Sequence, residues 1–191
     1  MNDYERHLFK TIHWSTAKDY ALFLKWTGML PKRDKDTPYH SGPQNEGRFR
    51  DALALAQPET VVEIGFNLGH SAAIMLGLGV KKVISIQPTA SVKTQLAIDE
   101  LIARYGSRFK FILGDSTQTL VPVSRVDLLF IDGDHSFTWA MNDITFGLLR
   151  GIHTFLLDDY DSHHGPGVVK AVENSDLVVR ALFGTMALCT T

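Results

Sequence analysis

The chain has 191 residues, 45% hydrophobic and 21% charged, the composition of an ordinary globular domain with enough chain to bury a core. Its 19 basic against 21 acidic residues leave a net charge of −2 with His neutral, which gives no basic footprint for nucleic acid. No apolar run reaches the roughly 18 residues of a membrane span. The N-terminus has no basic stretch leading into an apolar one, and the single Cys189 excludes an internal disulfide. The expectation is a cytoplasmic protein whose partner is a small molecule, not nucleic acid or a membrane.

Residues 1–57 carry helical signals and no strand signals, and they are read as an N-terminal helical extension packed on the core. Ser15-Thr16 can cap a helix with Ala17, Tyr20, Ala21 and Leu24 on one face. The polar segment 32–38 ends at Pro38 and reads as a loop. After Ser41-Gly42-Pro43, the positions Phe49, Ala52, Leu53 and Ala56 form a second helical stripe that Pro58 ends. Phe9, Trp14, Tyr20, Phe23 and Trp26 suit a packing face; roofing an acceptor pocket or pairing two subunits in a homo-oligomer are their other uses. Tyr39-His40-Ser41 and Asn45-Glu46-Gly47 are weaker contact candidates.

Residues 58–191 read as a single Rossmann-like domain in which strand and helix alternate. Val61-Val62 stops at Glu63, Val83 to Ile86 at Gln87, and Phe109 to Leu113 at Gly114-Asp115. Val126 to Ile131 stops at Asp132, and Thr154 to Leu157 at Asp158-Asp159. Continuous apolar runs are what a parallel sheet covered by helices on both faces requires. Between them, a helix from about Ser91 carries Ile98, Leu101, Ile102 and Tyr105 and stops at Gly106. Another helix after His135 carries Phe137, Met141, Ile144 and Leu148. Leu177 to Phe183 and Met186 to Cys189 are separated only by Gly184-Thr185, which fits a hairpin and not a parallel crossover. The expected fold is therefore α/β: a doubly wound, mostly parallel seven-stranded sheet ending in an antiparallel hairpin strand. Its strand ends gather carboxylates on the edge where open α/β sheets bind ligands.

Glu63-Ile64-Gly65-Phe66-Asn67-Leu68-Gly69-His70-Ser71 leaves the first strand and opens a helix, and its glycines let a ligand approach main-chain N–H groups. The dinucleotide fingerprint is missing, since Glu63 and Leu68 stand where two of its glycines would fall, and no Gly-Lys-Ser/Thr makes it a phosphate loop. Glu63 would repel a pyrophosphate and suit a sulfonium or an ammonium. A βα turn whose glycines serve only packing is the plainer alternative.

With this loop and Gly114-Asp115-Ser116, residues 45–191 resemble the class I S-adenosylmethionine-dependent methyltransferases. The resemblance implies that Gly65, Phe66, Asn67 and Gly69, with Ser71 at the helix start, wrap the methionine part of S-adenosyl-L-methionine. Glu63 would lie behind them, Asp115 and Ser116 would approach the adenine, and the residue ending the second strand would hold the ribose hydroxyls. There the chain departs from the pattern, with Gln87 in place of Asp or Glu, which loses a charge-assisted pair worth about 1 kcal/mol.

Asp132-Gly133-Asp134-His135 and Asp158-Asp159-Tyr160-Asp161 end strands that would lie about 4.8 Å apart. Three carboxylates without sulfur suit a hard cation, Mg²⁺ before Zn²⁺. The layout resembles the macrocin-type metal-dependent O-methyltransferases on Asp132, His135, Asp158 and Asp159; Tyr160 departs from the catechol type. It implies a metal on Asp132, Asp158 and Asp159 that lowers the pKa of a sugar or polyol hydroxyl, with His135 and Asp132 as the catalytic pair and His135 taking the proton. The plainer readings make Asp134 or Ser136 a helix cap, Asp158 or Asp161 a turn cap, and 163–167 a connection before a helix at Val168. Two other functions compete: a non-catalytic methyltransferase-fold module that senses a cofactor or a partner, and metal-dependent hydrolysis or oxidation without a methyl donor.

Overall fold

The computed structural model describes residues 43–117, 119, 125–161 and 163–191. The helix expected at 15–24, the loop at 32–38, the aromatic residues Phe9 to Trp26 and the contact candidates Tyr39, His40 and Ser41 lie outside the described residues.

Helix α1 (Pro43–Ala56) leads into β1 (Thr60–Ile64), and then α2 (His70–Gly77), β2 (Lys82–Gln87), α3 (Val92–Tyr105) and β3 (Phe109–Leu113) follow. After them come β4 (Leu128–Ile131), α4 (Phe137–Leu149), β5 (Thr154–Leu157), α5 (Pro166–Glu173), β6 (Val178–Phe183) and β7 (Met186–Thr190). The strands form one seven-stranded sheet in the order β3-β2-β1-β4-β5-β7-β6. From β3 to β5 every pairing is parallel, whereas β7 runs antiparallel to both β5 and β6. The final hairpin therefore folds back so that β7 enters beside β5 and leaves β6 at the edge. Gly184, at φ 65, supplies the left-handed turn that joins β6 to β7.

Apolar residues in the strands run on without a polar alternation because both faces are covered. On one face Val61, Val83, Phe109, Leu128 and Phe130 pack with α1, α2 and α3. On the other, Val62, Ile84, Leu129, Ile131 and Phe155 pack with α4 and α5. The α1 stripe is anchored by Phe49, whose ring meets Phe130 edge-on at 5.2 Å. Helix α3 starts and stops where its residue types demand: the Ser91 side chain accepts from the Thr94 N–H, and Gly106 closes the last turn. Helix α5 begins at Pro166, two residues before the expected start, because proline at the first helical turn needs no N–H partner.

Candidate active site

All five parallel strands deliver their C-terminal ends to one edge, and a cavity of about 610 Å³ opens there. Its wall comprises Ile64, Gly65 and Asn67 after β1, Gln87 and Pro88 after β2, and Gly114, Asp115 and Ser116 after β3. Asp132, Gly133 and Asp134 after β4 complete it, with Trp139 and Asp143 from α4. Gly65, Asn67, Gln87, Asp115, Ser116 and Asp132 thus meet at one hollow.

The first loop is shaped by glycine. Gly65 has φ 94, and a Cβ on it would fall on the Asp132 carbonyl. Gly69 has φ 73 and caps α2, and a Cβ there would strike the Phe66 ring. Phe66 is placed differently from the expectation. Its side chain is buried in the core, stacked on Phe109 at 5.7 Å and edge-on to Phe111 at 5.1 Å. Only its backbone serves the loop.

Glu63 lies behind the loop and is fully buried. It pairs across the strands with Ser85, and its carboxylate accepts hydrogen bonds from Ser85 and from Ser71 on α2. Burial pushes the Glu63 carboxyl up to about 8, against the pull of the two serine hydroxyls, so it is neutral at pH 7 in the folded chain. Glu63 and Ser71 are therefore supports of the loop, and neither lines the cavity.

Gln87 ends β2 with its amide engaged. Its Oε1 accepts from the N–H groups of Phe66 at 3.1 Å and Asn67 at 2.5 Å, while Nε2 donates to the Thr89 carbonyl at 2.6 Å. On the far wall, Asp115 folds onto its own turn by accepting from the Thr117 N–H at 2.7 Å. Ser116 donates to Asp143 Oδ1 at 2.6 Å. Asp143 is buried, and desolvation raises its carboxyl to about 6. Sequence reading missed both Asp143 and Trp139. The only signal was an acidic residue beside Ile144 on the buried stripe of α4.

The loops after β4 and β5 place His135 between two carboxylates. Its Nδ1 lies 3.1 Å from Asp159 Oδ2 and its Nε2 3.6 Å from Asp132 Oδ1. Both are ion-pair distances, with Asp159 the nearer carboxylate. Nε2 is buried and has no hydrogen-bond partner. The neighbouring carboxylates, Asp132 first and Asp159 after it, raise the pKa of the imidazole against the opposing effect of burial. Asp132 is itself raised to about 6 by desolvation and by the nearby Asp158 and Asp159, although His135 lowers it.

The three carboxylates expected to share a cation stand on one rim but do not converge. Among the described residues no group of three His, Cys, Asp or Glu side chains is close enough to hold a metal ion. The imidazole fills the gap between Asp132 and Asp159. Asp158 is turned toward the hairpin, with Oδ1 accepting from the Asp159 N–H at 2.9 Å and from Thr185 Oγ1 at 3.2 Å. The donor chemistry suits a hard cation, but the placement does not fit one. The plainer reading holds for Asp161, which accepts from the His163 and His164 N–H groups at 2.8 and 2.7 Å, whereas neither Asp134 nor Ser136 caps α4 with its side chain. Ser136 is the N-cap residue without a side-chain cap bond, and Asp134 accepts from the Ser136 N–H at 2.8 Å, ahead of the helix.

Comparison with known proteins places this architecture. Residues 62–153 match a family model described as a methyltransferase domain. A Podospora anserina methyltransferase with SAH bound superposes with a TM-score of 0.66 at 16% identity, over 100% of this chain and 96% of that one. An O-methyltransferase from Bacillus cereus in complex with SAH gives a TM-score of 0.64 at 14% identity, over 95% and 93% of the two chains. No curated protein matches the sequence significantly. The chain has the Rossmann-like methyltransferase fold, including the antiparallel strand at its end.

Proposed function

We propose that the chain is an S-adenosylmethionine-dependent methyltransferase that acts on the hydroxyl of a small molecule such as a sugar or polyol, with His135 as the base. The observation that carries this reading is the place of His135 between Asp159 and Asp132, the latter a wall residue of a cavity built from the ends of four parallel strands. The cavity volume falls in the usual range for a small-molecule site, roughly 300–1,000 Å³. Its described wall carries four carboxylates (Asp115, Asp132, Asp134 and Asp143) and no Lys or Arg, a lining suited to a cationic ligand.

Bound S-adenosylmethionine supplies a methyl group on a positively charged sulfur, ready for displacement. The rest of the chemistry belongs to the chain. Asp159, 3.1 Å from Nδ1 of His135, favours a proton on that nitrogen and leaves Nε2 to act as the base. Nε2 of His135 would take the proton of the acceptor hydroxyl, whose oxygen would replace the sulfur on the methyl carbon, with S-adenosylhomocysteine leaving. Asp132, 3.6 Å from Nε2, then stabilises the imidazolium. Holding donor and acceptor in register supplies most of the acceleration.

The test combines calorimetry of S-adenosylmethionine with a turnover assay on sugar, polyol and catechol hydroxyls. H135A is expected to lose about a hundredfold or more in turnover while retaining donor affinity. Absence of donor binding, with Mg²⁺ and without it, would overturn the reading. Magnesium enters through the same assay: the steps above use no ion, and stimulation by Mg²⁺ would mean that a cation displaces the ring from between Asp132 and Asp159.

A further inference from the structure

The residue that ends β2 has all the acceptor capacity of its amide committed inside the protein. An amide oxygen has two lone pairs, and Oε1 of Gln87 uses them on the consecutive N–H groups of Phe66 and Asn67, at 3.1 and 2.5 Å. The two N–H groups thus point at one oxygen. Such a pair of successive N–H groups is a concavity that attracts an oxygen or an anion. Here a side chain of the protein fills it. The amide nitrogen spends one hydrogen on the Thr89 carbonyl at 2.6 Å, leaving a single N–H unengaged.

We infer that Gln87 is a positioning residue, which holds the turn between β1 and α2 in its ligand-ready form and does not accept hydrogen bonds from the ribose hydroxyls of the cofactor. The inference rests on the reading of the cavity as a cofactor site. The three bonds to Gln87 tie the main chain at 66 and 67 to that at 89, so the wall of the cavity is braced across the β1 and β2 ends. A group accepting from a ribose diol would have to release the Phe66 and Asn67 N–H groups first.

Two measurements on the full chain test this. The first is hydrogen exchange at the Phe66 and Asn67 amides of the ligand-free protein. Q87A is expected to speed exchange there by about tenfold, the loss of one ordinary hydrogen bond, while Q87E, whose carboxylate still accepts from both, keeps the protection. Unchanged exchange in Q87A would overturn the inference. The second is the affinity of wild type and Q87A for S-adenosylhomocysteine and for its 2′,3′-dideoxy analogue. Q87A is expected to weaken both by the same factor. A loss confined to the ligand bearing the hydroxyls would assign Gln87 to the ribose and refute the positioning role. If the wild type binds neither ligand, the methyltransferase reading fails, and the exchange experiment still decides what Gln87 does.

Discussion

Replacing Glu63 with Gln should make the protein more stable at neutral pH, and the gain should vanish in acid. The carboxyl is raised from an ordinary 4.5 to about 8 in the folded chain, chiefly by burial. Between those two values the folded state keeps a proton that the unfolded chain releases. Stability is then fully present below 4.5 and is lost as pH rises toward about 8, with a slope of about 1.4 kcal/mol per pH unit. Over the whole window the loss approaches about 5 kcal/mol, and between pH 5 and 7 it is about 2–3 kcal/mol. Gln has the same shape, never ionises, and can accept from one of Ser71 and Ser85 while donating to the other. Urea denaturation of both proteins from pH 5 to 8 measures this directly. Taking the difference between them cancels the contributions of Asp132 and Asp143, which titrate in both. The midpoint of E63Q should pull ahead by about 1 M urea between pH 5 and 7, for a denaturant slope of about 2 kcal/mol/M. Curves that stay parallel across this range would mean that Glu63 is already ionised in the folded protein, and the argument from its burial would be wrong.

Turnover should rise with pH through an apparent pKa above the ordinary 6.5 of His, since the base acts neutral and its neighbours Asp132 and Asp159 favour the charged form. D159N removes one of those charges, so it should lower turnover and move the midpoint toward acid; a rate profile flat from pH 6 to 9, or a midpoint that moves toward alkali, would exclude this role. G65A should cost about 3 kcal/mol or more in denaturant unfolding, because a side chain at φ 94 is strained and its Cβ would overlap the Asp132 carbonyl. A loss under about 1 kcal/mol would show that β1 and β4 do not approach as closely as described.

The fold was largely legible because burial on both faces of the sheet leaves a direct trace, the continuous apolar run. Each of the seven runs became a strand, and Ser91, Gly106 and Gly184-Thr185 acted as the caps and turn that their side chains favour. The position of β7 between β5 and β6 was not legible, because strand order depends on which edges meet in space. The site divided in the same way. Asp115 and Asp132 are lining residues because a strand end fixes where the backbone goes. The rotamer that puts His135 between Asp132 and Asp159, and the turn of Asp158 toward Thr185, depend on contacts between separate loops that no local pattern encodes. Asp143 escaped because a polar residue on a helix is ordinarily solvated, whereas this one is buried and accepts from Ser116 in the loop after β3.

Three glycines explain how loops distant in sequence form one site. A Cβ on Gly65 would overlap the carbonyl of Asp132, one on Gly165 the carbonyl of Asp159, and one on Gly167 the carbonyl of His135. At each of these points two main chains touch where a side chain would hold them apart. Gly65 sets the β1 loop against the end of β4, and Gly167 sets the start of α5 against the turn that carries His135. Gly165 closes the loop after β5 on Asp159, whose own φ of 50 is unusual for a residue with a side chain. Asp132, His135 and Asp159 are therefore fixed by backbone packing before any side-chain bond is counted. This is why a 3.1 Å contact between His135 and Asp159 can be held by residues on separate loops. The cavity wall and the imidazole are parts of one packed unit, so a change that opens any of the three contacts should move the base relative to the cavity.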